Sequence, residues 1–137
     1  WFHDAVYKPM LGDNEERSAV LAADVLGELG ADPALATRIG RFVLATKTHA
    51  LLEDSDALRT FLDCDLAILG AREDVYERYT RAVRREYQFV PAPLYRRGRR
   101  KVLLGFLARP ALYFTPAARE RFETAARANV TRELAGL

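Results

Sequence analysis

Proline, glycine and short polar clusters cut this chain into segments whose apolar residues return every three or four positions, and none of the segments reads as a strand. Residues 15 to 29 place Ala19, Ala22, Ala23, Leu26 and Leu29 at helical spacing, with Asp13 and Asn14 as natural N-caps and Gly30 as the stop. Asp32 caps a second helix with Pro33 at its first position; it carries Leu35, Ile39, Phe42, Val43 and Leu44 and ends near Thr48-His49. After the acidic loop Glu53-Asp54-Ser55-Asp56, a third helix runs from Ala57 to Leu69 on Leu58, Phe61, Leu62, Leu66 and Leu69, closed by Gly70. A fourth, from Arg72 to Phe89, lines up Val75, Tyr76, Tyr79, Val83 and Tyr87 before Pro91 and Pro93 break it. Val102 to Leu107 is a short apolar run, read as helix from its leucines and neighbouring arginines. The last helix opens with Thr115 as cap and Pro116 at its first position, and stripes Phe122, Ala126, Val130 and Leu134. No internal repeat, low-complexity tract or long linker divides the sequence, so the expectation is one all-α domain over residues 1–137.

Composition narrows the classes further. Half of the 137 residues are hydrophobic and 29% are charged, the balance of a folded globular protein rather than a disordered one. No apolar run approaches the ~20 residues a membrane helix needs, and no stretch reads as a signal peptide. The single cysteine, Cys64, excludes an internal disulfide framework and a thiolate zinc cage, and suits a reducing, cytoplasmic setting. A net charge of +2 is too weak to point to nucleic acid as a partner. The chain opens Trp1-Phe2-His3-Asp4, apolar as though a helix were already running, which reads as a piece of a longer protein. Trp1 and Phe2 are then expected to have partners upstream, and their exposure is expected to drive self-association into oligomers.

Three acidic or histidine features could carry chemistry. His3 and Asp4 are adjacent, so their side chains face one way only if the backbone bends or both reach one central ion. Imidazole nitrogen with carboxylate oxygen suits a divalent metal. The plainer alternative is a surface histidine beside a capping aspartate. Asp63 and Asp65 interrupt an apolar helix, where unpaired burial of a carboxylate is costly. Two residues apart, they lie about 200° around the helix and do not face one site. One can ligate a metal while the other caps, pairs with an arginine or meets solvent; alternatively both sit at an exposed rim. His49 is the third feature.

Five motifs come in order: Trp-Phe-His-Asp-Ala-Val-Tyr at 1–7, Asp-Asn-Glu-Glu-Arg-Ser-Ala at 13–19, Thr-Lys-Thr-His at 46–49, Phe-Leu-Asp-Cys-Asp-Leu-Ala-Ile-Leu-Gly at 61–70 and Tyr-Thr-Arg-Ala-Val-Arg-Arg-Glu-Tyr at 79–87. Together they resemble the predicted metal-dependent phosphohydrolases of the HD-domain superfamily over nearly the whole chain. The resemblance implies an HD-domain-like helical bundle and a divalent ion held by an upstream histidine, the His-Asp pair and a distant aspartate. The pair falls on His3 and Asp4, and the distant aspartate on Asp65 in Cys64-Asp65-Leu66 rather than on Asp63. The upstream histidine has no counterpart and is expected before Trp1, with one or two packing helices.

The chain has two histidines in all, so one divalent ion (Mn, Fe, Mg, Co or Zn) is expected rather than two. His49 is a candidate proton carrier or phosphate donor, or else a histidine favoured by a helix C-terminus. The resemblance suggests Glu15 and Glu16 as residues that orient the attacking water, while the N-terminus of their helix accounts for both without catalysis. Arginine forks suit phosphate, which makes Arg84 and Arg99 candidates for the substrate phosphate, although a run such as 96–101 is commonly a solvated face. Tyr76, Tyr79 and Tyr87 follow helical spacing, which favours packing over base stacking. The expected function is hydrolysis of a small phosphorylated, nucleotide-like mono- or diester by metal-activated water. The alternative is a catalytically silent nucleotide-binding or regulatory module on the same fold.

Overall fold

The turn at Gly30 shows how closely local sequence sets this architecture. In the computed structural model, which describes residues 2–8, 12–51 and 53–137, helix α1 (Asn14–Glu28) ends with Gly30 at φ +73°. The Gly30 N–H donates to the Gly27 carbonyl at 3.0 Å and the Ala31 N–H to the Leu26 carbonyl at 2.9 Å. This paired closure needs a left-handed residue, and only glycine adopts that conformation without strain. The chain then enters α2 (Pro33–Ala45), whose Ala34 N–H is capped by the Asp32 carboxylate at 2.9 Å. Helices α3 (Asp56–Leu66), α4 (Glu73–Glu86), α5 (Ala92–Leu107) and α6 (Pro116–Gly136) follow, with a 3₁₀ turn at Ala67–Gly70. The fold is all-α, and among the described residues no helix is long and apolar enough to cross a membrane.

Several helix ends differ from expectation: α3 stops at Leu66 rather than Leu69, and α4 at Glu86 rather than Phe89. The run at Val102 to Leu107 is the second half of a 16-residue helix, α5. Pro91 and Pro93 follow the end of α4 as expected, and Pro93 also stands in the first turn of α5, where a missing N–H goes unused. Helix α2 stops at Ala45, and Thr46–His49 form a turn instead of its last residues.

The chain forms two compact units, residues up to Leu62 and Asp63–Leu137. In the first, α1 packs on α2, and Ala22, Val43, Ala45, Leu58 and Leu62 are buried. Ser18 is buried on the same α1 stripe because it serves the segment before the helix. It accepts from the Val6 N–H at 3.0 Å and donates to the Val6 carbonyl at 3.3 Å. Asn14 does the same for Lys8, with both bonds at 3.0 Å. The first unit thus straps residues 2–8 onto α1.

The second unit closes round Leu66, Leu69, Tyr76, Leu103, Tyr113, Ala126 and Val130. Buried Asn129 donates to the Leu69 and Ala71 carbonyls at 2.8 and 2.9 Å, satisfying the end of the 3₁₀ turn. Tyr113 donates its hydroxyl to the Leu66 carbonyl at 3.0 Å. Burial pushes its pKa up to about 12, so the hydroxyl keeps its proton at neutral pH. Gly70 is where α6 comes closest: a Cβ there would stand 2.6 Å from the Phe122 Cβ and 2.9 Å from its carbonyl oxygen. Gly70→Ala is therefore expected to cost about 3 kcal/mol in urea denaturation, because the clashing atoms belong to the backbone region of α6 and have no rotamer to escape into. Gly98→Ala, facing open space inside α5, is expected to be neutral or to stabilise by up to about 1 kcal/mol.

Candidate functional site

Residues 2 to 5 make the bend that an adjacent histidine and aspartate need. The Ala5 N–H donates to the Phe2 carbonyl at 3.1 Å, which places His3 and Asp4 at the centre of a four-residue turn. His3 Nε2 then lies 3.1 Å from Asp4 Oδ2, with the imidazole 26% exposed and the carboxylate 71% exposed. The His3 ring meets Phe61 of α3 edge-on at 6.3 Å, and Phe61 in turn packs on Phe42 of α2 at 5.6 Å. The imidazole nitrogen and the carboxylate oxygen therefore face each other at ion-pair distance, on an aromatic floor and beside the Ser18 and Asn14 straps. Trp1 lies outside the described residues, and Phe2 is half-buried.

Asp63 and Asp65 are in different environments. Asp63 is 5% exposed and is fully engaged within the second unit. Its Oδ1 accepts from the Phe114 N–H at 2.7 Å, and its Oδ2 accepts from the Thr115 N–H at 2.8 Å and the Thr115 hydroxyl at 2.6 Å. Thr115 Oγ1 also accepts from the Ala118 N–H at 3.2 Å, so Asp63 orients the cap of α6. Asp65 is half-buried near the end of α3. Of the two carboxylates, Asp63 has the capping role.

The other candidates fall as follows. Glu15 and Glu16 occupy the first turn of α1, where carboxylates complement the helix dipole. Glu16 is exposed and accepts from Lys47 Nζ at 2.5 Å, which holds its pKa below the usual range. Lys47 also reaches the Gly12 carbonyl at 2.6 Å. His49 is half-buried in the turn after α2 with φ +50°, the one positive φ outside glycine among the described residues. Such backbone strain is a pointer to function rather than a proof of it.

Arg84 donates to the Tyr87 and Val90 carbonyls at 2.6 and 3.2 Å, stopping α4, and lies 4.6 Å over the Tyr95 ring. Arg96, Arg97, Arg100 and Lys101 are exposed, as a solvated run predicts. Arg99 departs from that run. It is 10% exposed and forks onto Glu133, Nε to Oε1 at 2.6 Å and Nη2 to Oε2 at 3.0 Å. The Tyr76 hydroxyl donates to Oε2 at 2.5 Å. Burial is the largest single influence and works against the Arg99 charge, but Glu133 and Tyr79 together outweigh it and hold the pKa above its ordinary value.

Ser18 and Glu133 were not singled out from sequence. Both stand on the buried stripe of their helix, and a polar residue on such a stripe is itself the signal of a satisfied internal network. Among the described residues, no three histidine, cysteine, aspartate or glutamate side chains gather as a metal cluster, so His3 and Asp4 offer two donors. A bound ion usually takes at least three protein ligands. No protein-family model, curated protein or solved structure matches the chain.

Proposed function

We propose that this chain is a metal-dependent phosphohydrolase of the HD-domain kind, acting on a small phosphorylated, nucleotide-like mono- or diester. The observation that carries the reading is the turn at Phe2–Ala5, which brings His3 Nε2 and Asp4 Oδ2 to 3.1 Å of each other. Asp65 is the third ligand in this reading. Asp63 holds the α6 cap, and the resemblance puts the ligand at Asp65 in Cys64-Asp65-Leu66. A divalent ion bound by these residues supplies Lewis acidity toward the phosphoryl oxygen and a bound water of lowered pKa.

The chain's own groups do the rest. His49 carries a proton, Glu15 and Glu16 orient water, and arginine neutralises charge growing on the phosphate. Of Arg84 and Arg99, Arg84 fits the last role better, because the Arg99 charge is paired with the Glu133 carboxylate while Arg84 donates to neutral carbonyls.

Calorimetric titration with Mn²⁺ tests the ligand set. Asp65→Ala and His3→Ala are each expected to weaken binding by tenfold or more, in the range of losing a close metal contact, while a milder substitution at the other aspartate, Asp63→Asn, leaves it near wild type. Retained affinity in Asp65→Ala, or loss confined to Asp63→Asn, would remove Asp65 from the site. A phosphate-release screen over nucleotides and phosphomonoesters then tests the activity. Binding of a nucleotide without turnover would favour the silent regulatory module.

A further inference from the structure

The second unit contains a groove that the metal reading does not explain. It has a volume of about 430 Å³, within the range of small-molecule sites, and lies among α4, the start of α5 and the end of α6. Three arginines line it: Arg81 and Arg84 from one face of α4, and Arg96 from the first half of α5. Arg81 and Arg96 are exposed, and Arg81 is held loosely by Glu77 at 3.5 Å. Ala92, Tyr95 and Leu137 complete the wall.

The charge balance in the groove is positive. Glu133 is the acidic side chain in its lining, and the Arg99 fork and the Tyr76 hydroxyl already neutralise it. The C-termini of α4 and α6 border the groove and are each worth about half a negative charge. The Arg84 guanidinium sits at the first of them, donating to the Tyr87 carbonyl at its C-cap and to the Val90 carbonyl beyond it. The α5 N-terminus adds the opposite sign. It begins after Pro91, and among the described residues no side chain caps it. Cations from two helices together with an uncapped helix start are the elements proteins use to hold phosphate. The groove is also several times larger than an inorganic phosphate, with an apolar wall beside the charges.

We propose that this groove binds the phosphate of a phosphorylated small molecule between Arg81, Arg84 and Arg96, with its organic part against Ala92, Tyr95 and Leu137. The inference shares Arg84 with the phosphohydrolase reading, but it needs neither metal nor turnover. The test is calorimetric titration of the chain, in chelator, with inorganic phosphate and separately with a nucleoside monophosphate. Both probes are expected to bind. The double variant Arg81→Gln/Arg96→Gln, two exposed positions outside the core, is expected to weaken binding by about tenfold or more, while its melting temperature stays near wild type. Absence of binding at millimolar probe, or equal affinity in the variant, would overturn the proposal. Tighter binding of the nucleoside monophosphate than of phosphate places the organic part in the groove, and equal affinity removes that half. Intact Mn²⁺ binding beside absent phosphate binding would sink this inference alone, and the converse would sink only the metal site.

Discussion

Asp63→Ala is expected to lower stability by about 3–5 kcal/mol, the scale of removing one member of a buried charged network. The carboxylate accepts from two backbone N–H groups and one hydroxyl, at 2.6–2.8 Å. Truncation leaves the Phe114 and Thr115 N–H groups without their acceptor and lets the Thr115 side chain rotate away from Ala118. Each lost partner of a charged group is worth about 1.5–3 kcal/mol, part of which water entry recovers. For a chain of this length the effect corresponds to a fall of about 10–20 °C in melting temperature. Asp63→Asn keeps one acceptor oxygen and is expected to lose about half as much. Asp65→Ala is the comparison, and it is expected to lose less than Asp63→Ala. Thermal and urea melts of the three variants settle the ordering, and equal losses at both aspartates would show that the capping role is not special to Asp63.

Glu133→Ala is the second large effect. Glu133 joins Tyr76 of α4, Arg99 of α5 and α6 itself, so one carboxylate satisfies polar atoms on two other helices. Its removal strands a guanidinium that is only 10% exposed, and stranding a buried charge costs about 3–5 kcal/mol. Replacing the whole set is a different matter. The triple variant Tyr76→Phe/Arg99→Met/Glu133→Leu removes donors and acceptor together, and buried ion pairs exchanged for apolar residues of similar volume are often neutral or better. Urea denaturation is expected to place the triple variant within about 1–2 kcal/mol of wild type and Glu133→Ala well below both. A triple variant as unstable as Glu133→Ala would show that packing, not the stranded charge, sets the loss.

Much of the helical order was legible in the chain. Gly30, Asp32-Pro33 and Thr115-Pro116 are local signals, each satisfied by groups within a few residues, and each appears where it was expected. The misreadings have a physical cause as well. The prolines end α4 as expected, but the start of α5 at Ala92 is harder to read, because no capping side chain marks it.

The candidate site was legible in part. Spacing alone separated Asp63 from Asp65 onto different helix faces, but which of them caps depends on Phe114 and Thr115, fifty residues away. In the same way, Arg99 looks like its neighbours in a basic run until Glu133, 34 residues on, is brought beside it.

The strap on residues 2–8 bears on how strongly anything could hold His3 and Asp4. Two reciprocal pairs of hydrogen bonds, at Ser18 and at Asn14, fasten the segment to α1. At about 0.5–1.5 kcal/mol net for each bond, such a fastening opens far more often than the helices beneath it. Release of the segment would carry His3 and Asp4 off the floor of Phe61. A ligand of the pair binds with its intrinsic affinity scaled by the docked fraction, so Ser18, which touches no ligand, tunes the occupancy of the site through a population alone.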